Sequence, residues 1–305
     1  MNAYRVGLIV PTLNAGSQWN DWLEAVQRQS VQPHRKLVID SSSSDNTRQL
    51  AVQFGFEVMT IDKMEFNHGG TRDLGIKHLI DCDILVFLTQ DALLADEKSI
   101  ENMLSSFDDP QVAIAYGRQL PHLDAGPIGA HARLFNYPTA SATKTAADIP
   151  VLGAKTSFCS NSFSAYRRDD YNAIGGFKRD LIFGEDAHIA GRLILDGKKA
   201  FYNAKATVYH SHDYSFREDA RRYFDIGAWH ARDPWMMEKF GGATGEGIRF
   251  IKSETAYLLK HAWYLLPSAG IRTFIKFGFY RLGRMEACLP LKLKRLISMN
   301  RRYWK

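Results

Sequence analysis

The stretch ILVFLTQDALL, residues 84–94, reads as the middle of a sheet. Ile84 to Leu88 are apolar without alternation, the pattern of a strand covered on both faces, as in a parallel sheet. Thr89-Gln90-Asp91 ends the run, and Asp91 is the first charge after it. In open α/β sheets, ligands bind beyond the carboxyl ends of the strands. A carboxylate in that place is a hard oxygen ligand for Mg²⁺ or Mn²⁺ carrying a diphosphate. It also serves simply to turn the chain after a strand.

The flanking sequence repeats the strand-then-helix rhythm. Residues 5–10, 36–39, 57–61 and 112–116 are further short apolar strands. Between them lie helices over 18–29, 47–54 and 96–107 and one that follows the 66–75 stretch and ends near residue 80, the first with Trp19, Trp22, Leu23 and Val26 at helical spacing. This alternation predicts a doubly wound, mostly parallel α/β sheet. The first strand ends in Pro11-Thr12-Leu13-Asn14, the second in Asp40 followed by four serines and Asp45. A small polar loop between strand and helix is a natural seat for a nucleotide. Neither the phosphate-loop nor the dinucleotide glycine pattern is present. Residues 118–150 break the rhythm and read as an irregular, functional segment. From 215 onward the chain reads as helices over 215–239, 248–265 and 271–283, which divides it into residues 1–214 and 215–305.

Charge is unevenly spread. Residues 271–305 hold ten Lys/Arg and one acid, a net of +9, so a chain of net charge +6 is −3 elsewhere. That balance argues against a nucleic-acid partner. Phe274, Phe277, Phe279, Tyr280 and Trp304 lie among these basic residues, a composition suited to an anionic membrane surface. A solvated basic face on a packing helix is the plainer reading. The run Val6–Val10 is too short for a signal-peptide core, and no apolar stretch reaches the length of a spanning helix. Three scattered cysteines suit a reducing cytosol.

Two further clusters carry chemistry. Gly184-Glu185-Asp186 opens a helix. Adjacent carboxylates there act as dipole-favoured caps, or supply a general base, since crowding raises a carboxyl pKa toward neutrality. His210 and His212 stand two apart at a strand end, so they face one side. They are either structural or metal ligands. Arg72, in a first helical turn after Gly69-Gly70, opposes the helix dipole unless an anion lies near it.

The ordered set VPTLN (10–14), DSSSSD (40–45), FNHGGTR (66–72), LTQDA (88–92), GRQLP (117–121), GGF (175–177), GED (184–186) and HSH (210–212) resembles the inverting family 2 glycosyltransferases of the GT-A fold, closest to the rhamnosyltransferase-like branch. The resemblance implies a GT-A domain over 1–214 with a C-terminal helical extension. Pro11, Thr12, Asn14, Asp40, Ser42, Arg72 and Gln90 would bind the nucleotide sugar, and Asp186, beside Glu185, would be the catalytic base. Asp91 stands where the family's Asp-X-Asp motif ends, with its first acid absent, so His210 and His212 would complete a site for Mg²⁺ or Mn²⁺. The donor implied is a dTDP- or UDP-sugar, best dTDP-rhamnose. The acceptor implied is a cell-surface glycan or polyprenyl-linked glycan such as an O-antigen intermediate, at the inner face of the cytoplasmic membrane. A non-catalytic nucleotide-sugar binder and a basic peripheral membrane adaptor are the alternatives.

Overall fold

The structure, a computed structural model, describes residues 4–242 and 245–305. Its strands are β1 (Val6–Thr12), β2 (Arg35–Asp40), β3 (Glu57–Thr60), β4 (Ile84–Leu88), β5 (Leu93–Leu94), β6 (Val112–Leu120), β7 (Ala142–Lys144), β8 (Phe163–Arg167) and β9 (Lys199–Tyr209). They form one sheet in the order β3-β2-β1-β4-β8-β6-β9-β5, with β7 beside β9. The expected mostly parallel arrangement holds for β3, β2, β1 and β4 and again for β6 with β9. Between these halves β8 runs antiparallel to both β4 and β6. The insertion leaves β4, β6 and β9 pointing the same way. The carboxyl ends of β2, β4, β6 and β9 therefore share an edge with the start of β8, and the site lies on that edge.

Why Ile84–Leu88 shows no alternation is now plain. Ile84, Val86 and Leu88 enter one core, with Trp19, Trp22 and Leu23. Leu85 and Phe87 enter the other, with Ile76, Ile189 and Trp229. All five are fully buried. Each buried aliphatic or aromatic side chain contributes about 1.5–3 kcal/mol relative to exposure, so a polar change anywhere in β4 is costly on either face.

Several expectations are corrected. Residues 118–150 are not irregular: they contain the end of β6, a helix Pro127–Asn136 and β7. Pro127 fits the first helical turn, where its missing N–H costs nothing. The Gly126 N–H donates to Asp213 Oδ2 at 2.8 Å, tying this helix to the segment after β9. The long helix expected over 215–239 is two, Phe216–Arg232 and Trp235–Phe240, parted at Asp233-Pro234, because proline cannot continue the backbone ladder. Residues 157–166 read in the sequence as one strand region, but β8 begins only at Phe163, and residues 157–162 carry Ser160 and Asn161 to the site edge.

The C-terminal helices are joined to the same core. Phe224, Ala228, Trp229 and Trp304 pack with Phe87 and Ile189. Helix Phe216–Arg232 lies along helix Leu266–Arg284, and the two meet through glycine. A Cβ on Gly227 would strike the Tyr280 carbonyl oxygen, and one on Gly283 the Phe224 carbonyl oxygen. Backbone cannot yield as a flexible side chain can. Gly283→Ala is therefore expected to lower stability by about 1–3 kcal/mol, the usual cost of overpacking, read as a lower urea midpoint. An unchanged midpoint would show that the helices are not in this close register.

Candidate active site

Five segments converge on a cleft of about 680 Å³. Asp91 follows β4, Gln119 is near the end of β6, Asn161 precedes β8, and His210 and His212 follow β9. The helix Glu185–Leu195 enters with its first turn. Gly184, its N-cap, has φ 75°, and a Cβ there would lie 2.5 Å from the Trp229 ring. Only glycine meets both demands, the left-handed backbone and the close indole.

The two carboxylates behind Gly184 have opposite electrostatics. Asp186 Oδ1 accepts from the Ala187 N–H at 2.8 Å and Oδ2 from the Asn161 N–H at 3.3 Å. Burial, reinforced by the charge of Glu185, raises Asp186 to about 7. Burial also acts to raise Glu185, but His68 and Arg72 outweigh it and hold that carboxyl below its ordinary value. Glu185 Oε1 lies 3.3 Å from Arg72 Nη1 and 3.4 Å from Asn161 Nδ2. Two neighbouring acids driven apart in this way can divide the roles of proton acceptor and fixed charge.

Arg72 is not a solvated surface residue but lines the cleft. It is 3% exposed, over the Phe87 ring, and its Nη1 is given to the His68 carbonyl and Glu185, while its Nε has no partner among the described residues. The helix begins at His68, so Arg72 lies in its second turn rather than its first, and Glu185 is the anion beside it. Arg222 is the cation that the sequence left unmarked. It lies 4.8 Å from the Phe183 ring centroid and 5.6 Å from that of Tyr214, whose ring in turn stacks on His212 at 5.1 Å. Among the described residues it has no hydrogen bond or ion pair. Nothing in the pattern Arg221-Arg222-Tyr223 distinguishes it from its neighbour.

Asp91, His210 and His212 come together as the sequence suggested. Asp91 Oδ2 is 3.5 Å from His210 Nε2 and 3.7 Å from His212 Nε2, and one donor atom of each lies within 4.8 Å of the others. One carboxylate oxygen and two imidazole nitrogens are a donor set that fits a divalent cation such as Mn²⁺. Desolvation in the cleft would raise Asp91, whose side chain is still 45% exposed, but His210 and His212 hold it well below the usual carboxylate range. Burial, then the charge of His210, pushes His212 down to about 4.

The loops expected to hold the nucleotide lie beside this cleft rather than in its lining. Asn14 and Ser42 both have positive φ, 46° and 62°, uncommon outside glycine and clustered where ligands bind. Asn14 Oδ1 accepts from the Ser44 N–H at 2.8 Å, so the loops after β1 and β2 are locked together. Pro11 is still within β1. Two residues depart from expectation in this conformation. Asp40 is fully buried, accepting from Thr12 Oγ1, Ser43 N and Ser43 Oγ, so it braces the loop. Gln90 uses both ends of its amide on the Leu13 backbone, at 2.8 and 3.2 Å, so it clasps the loop after β1. Each is a small polar residue at a strand end, and the sequence does not tell a ligand contact from a loop brace.

Comparison with known proteins agrees with this geometry. Residues 8–175 match the family model of glycosyl transferase family 2. The chain is 48% identical over 301 residues to the O-antigen chain rhamnosyltransferase RfbN of Salmonella typhimurium, covering 98% of this chain and 96% of that protein. It is 48% identical to the O-antigen chain rhamnosyltransferase WbaN of Salmonella anatum, over 97% of this chain and 95% of that one. In fold it resembles the mannosyltransferase PcManGT of Pyrobaculum calidifontis, solved with GDP-Man and Mn²⁺, at a TM-score of 0.57 and 18% identity over 99% of this chain and 85% of that one. S. aureus TarS (residues 1–349) is similar at 0.54 and 15%, over 96% and 86%. The sheet with its helical C-terminal part is thus the GT-A arrangement, and the chain belongs to glycosyl transferase family 2.

Proposed function

We propose that this glycosyltransferase moves L-rhamnose from dTDP-rhamnose to a hydroxyl of an O-antigen or other lipid-linked glycan, with inversion at the anomeric carbon. The observation that carries this reading is the 48% identity to two O-antigen chain rhamnosyltransferases over nearly the whole chain. It extends through the C-terminal helices, beyond the residues 8–175 that define the family.

In this mechanism Asp186 takes the proton of the acceptor hydroxyl. The oxygen attacks the anomeric carbon from the face opposite the diphosphate, and the bond from that carbon to the diphosphate oxygen breaks. The N–H groups of Ala187 and Asn161 hold the base in place. Glu185, kept ionised by Arg72, keeps Asp186 ready to accept a proton near neutral pH. Arg222 is assigned to the negative charge on the departing diphosphate. Asp91, His210 and His212 would hold a divalent cation, which when bound supplies further positive charge to that leaving group. The loops bearing Pro11, Thr12, Asn14 and Ser42, braced by Asp40 and Gln90, would seat the nucleotide, and helix Pro127–Asn136 would line the acceptor side.

The test is incubation of the full chain with dTDP-L-rhamnose, UDP- and GDP-sugars in turn, Mn²⁺ or Mg²⁺, and lipid-linked O-antigen oligosaccharides, with mass spectrometry of the products. Addition of one deoxyhexose from the dTDP donor alone supports the proposal. Transfer from another donor replaces the sugar assignment. Nucleotide binding without transfer to any acceptor would favour a non-catalytic binder.

Residues 215–305 are proposed to serve as a membrane-facing extension, with a revised set of contacts. Trp304 is buried against Phe224, Tyr280 bonds His230, and Arg272 and Lys276 turn inward to Asp219. What faces outward is Phe274 (80% exposed), Phe277, Ile271 and, in the preceding turn, Trp263 and Tyr264. No helix among the described residues is long and apolar enough to cross a membrane. Such a face suits reversible docking, with each nearby Lys or Arg adding about 1 kcal/mol on an anionic surface. The double variant Phe274→Ser/Phe277→Ser is expected to stay in the supernatant when wild type pellets with anionic vesicles at low salt. Equal pelleting would make this face a plain structural surface. Truncation before Ile271 is the poorer test, since it also removes Trp304 from the core.

A further inference from the structure

Beside the metal triad, the amide of Gln119 has an orientation that its neighbours dictate. Gln119 is 2% exposed, near the end of β6. Its Oε1 lies 2.5 Å from Arg133 Nη1 and 2.9 Å from His210 Nδ1, and its Nε2 lies 2.8 Å from Ser160 Oγ. A guanidinium only donates, so the amide atom facing Arg133 must be the oxygen. His210 Nδ1 meets that same oxygen, and must therefore carry a proton. In the neutral ring the lone pair is then at Nε2, the nitrogen that faces Asp91 Oδ2 at 3.5 Å. Two acceptors are thereby aimed at one another, an arrangement that either a second proton, which charges the ring, or a cation between them resolves.

We propose that Gln119, itself oriented by Arg133, is a positioning residue that fixes the tautomer of His210 so that Nε2 is presented to a divalent cation. This rests on the reading of Asp91, His210 and His212 as a metal site. Outer partners of this kind fix a ligating imidazole's proton and ring plane, and their loss typically weakens metal affinity about 10- to 100-fold. Arg133 belongs to helix Pro127–Asn136, with its guanidinium 6.0 Å from the Tyr137 ring centroid. The helix that lines the cleft is thus coupled to the metal ligand through one amide. Gln119→Met keeps the length of the side chain and removes the acceptor. Gln119→Glu keeps an acceptor for both Arg133 and His210.

Mn²⁺ titration of the full chain, followed by the electron paramagnetic resonance of free Mn²⁺, tests this. Gln119→Met is expected to weaken binding about 10- to 100-fold and Gln119→Glu to stay within a few-fold of wild type. An unchanged affinity in Gln119→Met, while His210→Ala loses binding, overturns the role of Gln119 and leaves the metal site standing. Absence of Mn²⁺ binding in wild type overturns the metal site itself. Should Gln119→Met fail to fold, nitrogen-15 NMR of the wild-type imidazoles without metal gives the answer directly. At pH 8 His210 is expected as the Nδ1–H tautomer, and an Nε2–H tautomer refutes the proposal.

Discussion

Asp186→Asn is expected to bind donor nucleotide as wild type does and to transfer the sugar about 10²- to 10⁴-fold more slowly, the usual cost of losing a general base. The substitution keeps the side chain's shape and its place at the first turn of the helix. What it removes is the group that burial and Glu185 raise to about 7. The same shift predicts an acid limb in the wild-type rate, with activity falling as pH drops through about 7 and the base becomes protonated. It predicts a stability effect as well. The ordinary value is 3.8 and the folded value about 7, so from pH 4 to 7 the unfolded chain releases a proton that the folded chain keeps. Wild type loses stability over that interval and stays at the lower level above it. The asparagine variant carries no such group, so it should melt higher than wild type at pH 8 and by a smaller margin near pH 4. Turnover within a few-fold of wild type would move the base to Glu185. A rate loss without the thermal gain at pH 8 would mean that Asp186 is not strained as an anion in the fold.

Much of this was legible in the chain because strand ends are easy to read. The apolar run Ile84–Leu88 located the central strand, and Asp91 followed from it. His210 and His212 were marked by their spacing, and they do approach Asp91. Glu185 and Asp186 were marked by the glycine before them, although the need for that glycine, the Trp229 ring, lies 45 residues away in sequence. What could not be read was the use of each polar atom. Asp40, Gln90 and Arg72 have the residue types of ligand contacts, yet here they bond to protein. Satisfaction of a buried polar group depends on partners from other segments, and a single sequence does not give those partners. Arg222 and Gln119 were missed for the same reason reversed. Arg222 matters because it has no hydrogen bond or ion pair among the described residues and Gln119 because its amide meets three side chains, and neither fact is local. The antiparallel β8, between β4 and β6, was equally hidden, since its residues read as a strand without direction.

Asp91→Asn is expected to abolish most of the Mn²⁺-dependent gain in nucleoside diphosphate binding while leaving the fold intact. Asp91 is the only carboxylate in the triad, and its side chain is 45% exposed, so the variant leaves no cavity. Asparagine keeps an oxygen but not the charge. Since loss of a residue merely supporting a metal ligand costs about 10- to 100-fold in affinity, loss of the charged ligand should cost at least as much. The measurement is a thermal-shift titration with dTDP, run with Mn²⁺ and with chelator. Wild type should gain more protection with the ion, and Asp91→Asn should give the same small response in both conditions. The chelator arm separates two ways of failing. If the variant loses binding equally with and without metal, Asp91 acts through the loop that Gln90 clasps and not through a cation. If wild type itself is indifferent to Mn²⁺, Arg222 and the loop N–H groups carry the diphosphate alone. Two histidines beside one acid would then be a hydrogen-bonded cluster closing the ends of β4 and β9.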